Sequence, residues 1–256
     1  MSIKTIERLM PWAVTIGFVI LWELSCWIFD LDVFILPAPS DVLRESFNFA
    51  PQLAHHALYT LYTTLVGFGL AVVVGVLLGV AIGSSRLIYK GLYPVLVGFN
   101  SIPKVALVPI LVIWFGIGTV PAILTAFVIS FFPIAVNVAT GLATIERDMT
   151  DVLRSLGATK RDILLKVGLP RSMPYFFASL KVAITLAFVG SVIAETVASN
   201  QGIGYLMLSA SSNYNVPLVF AGLVVLSILG VLMYVAAAAL ERRTSAWAFR
   251  GSDLIS

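Results

Sequence analysis

Few residues in this 256-residue chain could do chemistry, and most of them lie inside apolar runs. Lys104 sits about 12 residues, roughly 18 Å of helix, into a run that starts near Leu92, with Asn100 one turn before it on the same face and Pro103 and Pro109 breaking the local helix. A lysine at membrane depth usually faces a bundle interior or an aqueous cavity. Asn100 and Lys104 are therefore candidate lining residues of a solute path; the alternatives are a structural charge paired with an acid, or a lysine snorkelling to the surface. Glu195 is a third candidate for that path. It could equally cap or orient the Gly202-Ile203-Gly204 turn that follows it, which is the plainer reading. Lys181 is expected to snorkel.

Other chemistry is excluded or unsupported. No G-x-x-x-x-G-K-[ST] pattern occurs, so the chain has no phosphate cradle and is not expected to hydrolyse ATP. His55 and His56 are adjacent and would point in different directions on a helix, and Cys, His and carboxylates do not cluster at metal spacing; the histidines read as ordinary membrane-surface residues. No nucleophile, base and orienting acid assemble, so no catalytic residue, metal or cofactor is assigned to the chain. Cys26 stands alone and forms no internal disulfide.

The elements that position these residues follow from composition. The chain is 59% hydrophobic and 11% charged, with a mean hydropathy of +1.01, and has too little polar surface to cover a water-soluble globule. In lipid every backbone amide needs a partner within its segment or a closed barrel, and these runs are too long and unalternating for barrel strands. An all-α membrane protein is predicted, as a single transmembrane domain over residues 1–256. A span needs about 20 apolar residues, and six candidates qualify: Trp12 to Phe29, Tyr59 to Gly83, Leu92 to Phe115, Thr119 to Ala143, Pro174 to Ala198 and Pro217 to Leu240. Gly116 and Gly118 divide the third from the fourth. The first is read as an uncleaved span: it is long enough to cross, it carries Trp12, Trp22 and Trp27, and no small-x-small cleavage site follows.

Two faces stand out. Gly67, Ala71, Gly75, Gly79 and Gly83 recur every fourth residue, a strip that admits close approach of another helix, either as static packing or as a subunit or domain contact that slides during transport. Ser179, Ala183, Ala187 and Ser191 repeat the pattern in the fifth span, and Glu195 continues it, so Glu195 should face protein or water rather than lipid.

Charge sets the orientation. With both termini cytoplasmic, Lys4, Arg8, Arg86, Lys90, Arg147, Arg154, Lys160, Arg161, Lys166, Arg171, Arg242, Arg243 and Arg250 fall on one side, out of 16 Lys and Arg in all. Arg44 falls outside. This is the positive-inside asymmetry of a multi-pass plasma-membrane protein.

The longest cytoplasmic connection, about Thr144 to Met173, reads as two short amphipathic helices. Met149, Val152, Leu153 and Leu156 share one face while Arg147, Asp148, Asp151 and Arg154 stay wet. Gly157 supplies a left-handed stop. Thr159 and Asp162 form a capping-box pattern that opens a second helix, with Ile163, Leu164 and Val167 as its apolar face and Pro170 ending it. Such faces dock either on lipid or on a partner groove.

Asp151-Val152-Leu153-Arg154-Ser155-Leu156-Gly157-Ala158-Thr159 followed by Val167-Gly168-Leu169-Pro170 resembles the EAA loop of bacterial binding-protein-dependent ABC importer permeases, Glu-Ala-Ala-x3-Gly-x9-Ile-x-Leu-Pro. Gly157, Leu169 and Pro170 match in register; Val167 replaces Ile, Asp151 replaces Glu, and Val152 and Leu153 replace the two alanines. Leu36-Pro37-Ala38-Pro39-Ser40, Ile102-Pro103-Lys104, Trp114-Phe115-Gly116-Ile117-Gly118, and Glu195 ahead of Gly202-Ile203-Gly204-Tyr205 resemble the nitrate, sulfonate and taurine branch. Permeases for thiamine pyrimidine precursors are similar too. The resemblance implies a type I importer permease that dimerises with a second copy. It also implies a loop that docks two cytoplasmic ATPase subunits through Asp151, Val152, Leu153, Arg154, Leu156, Gly157, Ala158, Leu169 and Pro170, and an extracytoplasmic protein that delivers solute. ATP and Mg would be held by the ATPase, and no nucleic acid is involved. The expected cargo is a sulfonate, taurine, nitrate or similar anion, or alternatively a neutral heterocycle. An ion-coupled secondary transporter is the competing class; neither an internal repeat nor a chain of buried carboxylates speaks for it.

Overall fold

The structure, a computed structural model, describes residues 3–144 and 147–244, and every regular element among them is helical. In chain order these are α1 (Ile3–Ile28), α2 (Pro39–Asn48), α3 (Ala50–Gly83), α4 (Arg86–Asn100), a 3-10 turn (Lys104–Leu107), α5 (Val108–Phe115) and α6 (Thr119–Ala143). They are followed by α7 (Arg147–Ser155), α8 (Lys160–Ile163), a π-helical turn (Leu164–Gly168), α9 (Leu169–Ala198), α10 (Ile203–Ser212) and α11 (Val216–Thr244). Arg250 lies outside the described residues.

Five stretches are long and apolar enough to cross a membrane: Leu9–Ile28, Ala50–Gly83, Thr119–Ala143, Arg161–Ala198 and Val216–Arg243. The sixth expected span, Leu92 to Phe115, is not one helix. It is a broken pair, Leu87–Asn100 and Lys104–Phe115, bent by 78°. Pro103 offers no N–H to the carbonyl a turn before it, so α4 ends on Ser101, whose N–H bonds back to Val97 and Gly98. The chain then restarts through the 3-10 turn with Pro109 in the first turn of α5. Gly116 (φ +77°) and Gly118 (φ +139°) then make the turn into α6 in conformations that side-chain-bearing residues rarely adopt.

The core is a three-helix contact of α3, α6 and α9. The glycine strip of α3 lies against α6 so closely that a Cβ on Gly67 would sit 2.6 Å from Ala126 Cβ, and one on Gly79 2.7 Å from Val138 Cβ. The strip's partner is thus a helix of the same chain. The strip is buried within the chain and is not a contact between subunits. On α9, Ser179, Ala183, Ala187, Ser191 and Glu195 are all buried, and a Cβ on Gly190 would stand 3.1 Å from Ala126 Cα. Phe131, Ile134, Val138, Leu142, Phe177 and Leu180 fill the space between.

The remaining helices attach to this core at few points. α1 touches its own chain chiefly near its C-terminal end. Trp22 meets Phe220 with ring centroids 5.8 Å apart, and Glu23 accepts bonds from Ser40 N at 3.0 Å and Ser40 Oγ at 2.7 Å. The Lys181 ammonium reaches Glu241 near the end of α11 and pairs with it at 2.7 Å, tying α9 to α11.

Candidate coupling loop, solute path and buried carboxylate

The loop assembles from local backbone rules. α7 ends in a Schellman motif: Gly157, at φ +85°, gives its N–H to Arg154 O at 2.9 Å, and Ala158 gives its N–H to Leu153 O at 3.0 Å. Two residues later Thr159 and Asp162 exchange bonds, Asp162 N to Thr159 Oγ1 at 3.2 Å and Thr159 N to Asp162 Oδ2 at 3.2 Å, which opens the next helix. The interval between the two helices is therefore short, and every N–H from Leu156 to Thr159 is bonded.

Pro170 does not end that second helix. α8, the π turn and α9 run on as one rod, and Pro170 falls in the first turn of α9. The π turn explains how. Leu169 N–H bonds to Leu164 O, five residues back, which widens the helix just where a proline ring would otherwise press on the preceding turn. Ile163 is buried, and Leu164, Leu169 and Met173 pack against the core. Within α7 the apolar face is only partly satisfied: Leu153 is half-buried, whereas Val152 and Leu156 are 59% and 79% exposed. Ala158 is half-buried and Pro170 exposed. Asp151 and Arg154 form an exposed pair at 3.5 Å, of the kind that contributes little to stability.

Asn100 and Lys104 come together at the break between α4 and α5. The Lys104 ammonium donates to Asn100 Oδ1 and, at 3.1 Å, to Asn100 O, and it sits 5.9 Å from the Phe132 ring centroid on α6. A cation placed on the last carbonyls of α4 complements the negative end of that helix. Lys104 is half-buried and Asn100 exposed, so the pair lies on the surface of this chain.

Glu195 lies apart from that pair and has no exposed surface. Its Oε2 accepts from Thr60 Oγ1 at 2.8 Å and from Gly204 N at 3.2 Å, and its Oε1 accepts from Thr63 Oγ1 at 3.3 Å. Gly202 (φ +100°) makes room, since a Cβ there would stand 2.2 Å from Glu195 Cδ. The carboxylate thus holds the turn that follows it.

Several partners escaped the sequence reading, Thr60, Thr63, His56 and Glu241 among them. Thr60 also accepts Ile203 N–H at 2.9 Å, and His56 Nδ1 accepts Gly202 N–H at 3.0 Å. The neutral imidazole is an acceptor here rather than a surface group. A signal existed: Thr60, Thr63 and Thr64 put three hydroxyls on one stretch of an apolar span, which calls for a polar partner. Glu241, beyond the apolar run, gave none.

A helical chain built on a tight small-residue core, five long apolar helices and a broken sixth span has the architecture of a multi-pass membrane protein. Residues 71–246 match the family described as binding-protein-dependent transport system inner membrane component, and the chain belongs to that family. The formylaminopyrimidine transport permease of Halalkalibacterium halodurans is 29% identical over 95% of this chain and 98% of its own length. The taurine transport system permease of Escherichia coli is 30% identical over 83% of this chain and 80% of its own. Among solved structures, an inward-facing MetNI methionine ABC transporter superposes with a TM-score of 0.66 at 25% identity, covering 77% of this chain and 97% of that one. The chain is an inner-membrane ABC importer permease of type I fold. The ion-coupled secondary transporter is thereby set aside.

Proposed function

We propose that two copies of this chain form the membrane path of an importer for a small anion of the sulfonate, taurine or nitrate class, with Asn100 and Lys104 facing the solute. The observation that carries the anion reading is the position of Lys104, a cation held at the break of a span beside the Phe132 ring. Glu195 stays out of the path in this reading and acts within the protein. The alternative cargo, a neutral pyrimidine, is favoured by the likeness to the formylaminopyrimidine permease over nearly the full length of both chains.

The Thr144 to Met173 loop is the docking element for two ATPase subunits, with Val152, Leu153 and Leu156 as its apolar contact and Asp151, Arg154, Gly157, Ala158, Leu169 and Pro170 fixing its shape. Both termini and this loop are cytoplasmic, and an external binding protein hands solute to the opposite face. Support comes from the family membership, the charge asymmetry and the exposed apolar side chains of α7.

The test uses the permease copurified with its ATPase and reconstituted with its binding protein. Lys104→Gln is expected to lower taurine uptake about tenfold, as for loss of one charged contact, and to leave uptake of a formylaminopyrimidine unchanged. Uptake of the pyrimidine alone, insensitive to Lys104→Gln, replaces the anion reading with the alternative. Leu153→Asp should insert normally but lose the ATPase, since a charge in the apolar contact costs a few kcal/mol. Retention of the ATPase by that variant refutes the docking assignment.

A further inference from the structure

The first three N–H groups of α10 are received by side chains from two other helices. Gly202 donates to His56 Nδ1 of α3, Ile203 to Thr60 Oγ1 of α3 and Gly204 to Glu195 Oε2 of α9, at 3.0, 2.9 and 3.2 Å. A helix start leaves such donors unpaired, and they are usually met by the preceding residue's own side chain. Here the cap position is Gly202, which has none, and its missing Cβ is the space the Glu195 carboxyl fills. Glu195 is fully buried, yet the described ion pairs, Arg154–Asp151, Lys166–Asp162 and Lys181–Glu241, all leave it out. Its partners are the Thr60 and Thr63 hydroxyls and one backbone N–H. A carboxyl group buried with no cation beside it is costly to keep charged.

What the arrangement achieves that a local cap would not is mechanical. The 38-residue stretch Arg161–Ala198 runs unbroken from the loop to the far end of the bundle, about 57 Å. Glu195 lies within one turn of that far end. We infer that Glu195 and His56 are positioning residues for transport: through the α10 cap they weld α3, α9 and α10 into one body. A displacement imposed on the loop end of the Arg161–Ala198 rod therefore moves α10 at the opposite face. The inference rests on the proposed docking role of the loop, and the experiment separates the two.

The full complex, in a Cys26→Ala background, carries spin labels either at Ser155 in the loop or at Ser212 at the end of α10, both exposed. Copy-to-copy distances are measured without nucleotide and after trapping with ATP and vanadate. In the unsubstituted complex both labels are expected to shift. With Glu195→Ala the Ser155 shift persists and the Ser212 shift is lost, and ATP consumed per solute imported rises about tenfold, the scale of losing hydrogen bonds to a charged group. Should Glu195→Ala fail to assemble, His56 supplies a second pair. His56→Leu removes the acceptor and should lose the Ser212 shift, whereas His56→Asn puts an amide oxygen near the Nδ1 position and should restore it. A merely structural role would lower both shifts together with the amount of folded complex. A Ser212 shift that survives Glu195→Ala or His56→Leu overturns the inference, as does a Ser212 label that stays still while Ser155 moves in the unsubstituted complex. A Ser155 label that does not move with ATP strikes the docking role instead.

Discussion

Helices α3 and α4 are both apolar, both carry glycine, and they treat their surfaces in opposite ways. In α3 the small residues recur every four positions and line a single face, so α6 approaches until a Cβ on Gly67, Gly75, Gly79 or Gly83 would meet its atoms at 2.6 to 2.9 Å. In α4, Gly91 and Gly98 have nothing within 4 Å of where a Cβ would stand, and Leu92, Val95, Val97 and Phe99 are exposed. Composition alone does not distinguish the two. Spacing does: a period of four keeps the gaps on one side of a helix, where a neighbour can use them. The first helix belongs to a body closed within the chain, while the second offers its sides to whatever lies outside it.

The comparison breaks most visibly if glycine in α3 proves replaceable. Gly79→Leu forces a side chain into the α6 contact and should destabilise the protein by about 3 kcal/mol, or prevent folding, as overpacking does. Gly98→Leu should stay within about 0.5 kcal/mol of the parent. Thermal unfolding of the two variants in the same detergent, followed by size-exclusion fluorescence, is the measurement. Equal midpoints would mean that the α3–α6 contact is looser than its distances say.

A smaller effect is expected where α11 joins the closed body. Lys181→Met removes the Lys181–Glu241 ion pair between α9 and α11 and should cost about 2 kcal/mol, below the range for fully buried pairs because the lysine is partly exposed. The double change Lys181→Met with Glu241→Leu should recover most of the loss in the same assay. If the double variant is no better than the single one, α11 is held by its apolar contacts and the ion pair is incidental.

The smallest change is local to the loop. Gly157→Ala keeps the chain but forces a side chain into a left-handed conformation, at about 1 kcal/mol. Thr159→Ala removes half of the reciprocal cap at a similar cost of about 1 kcal/mol. Amide exchange over residues 156–164 should quicken several-fold in both variants, while exchange in the α3–α6–α9 core is unchanged. Quickening that spread into the core would show the loop to be part of the closed body rather than an appendage of it.

Much of this was legible in the sequence, because it depends on neighbours along the chain. Gly116 and Gly118 mark their turn by type alone, the four-residue strips on α3 and α9 follow from counting, and Gly157 with Thr159 and Asp162 spells out the caps of the loop. What stayed hidden depends on contacts across the fold or on local signals that compete. Residues 92–115 are apolar enough overall to read as one span, and Pro103 and Pro109 mark a break without giving its 78° angle; Pro94 and Pro133, by contrast, lie inside continuous helices. Pro170 reads as a stop until a π turn is known to precede it. α2 and α10 are too short for a span and were not distinguished from the connections around them. The partners of Glu195 and Lys181 are distant in sequence, and no spacing rule links residue 195 to residue 60 or residue 181 to residue 241.

The π turn at Leu164–Gly168 has a consequence for azimuth. A helix advances about 100° per residue, and a π turn amounts to one residue inserted into an otherwise regular helix. Everything beyond it, including Ser179, Ala183, Ala187, Ser191 and Glu195, is rotated by that step relative to α8 and the capped loop. A chain one residue shorter here, wound as a plain α-helix, would turn the small-residue face of α9 by about 100° with respect to the loop. To keep that face on α3 and α6, it would have to aim α7 in another direction. Leu164–Gly168 therefore works as a phase setting between two surfaces that are otherwise built independently, and relatives that gain or lose one residue there would differ in where the loop points while keeping the same core.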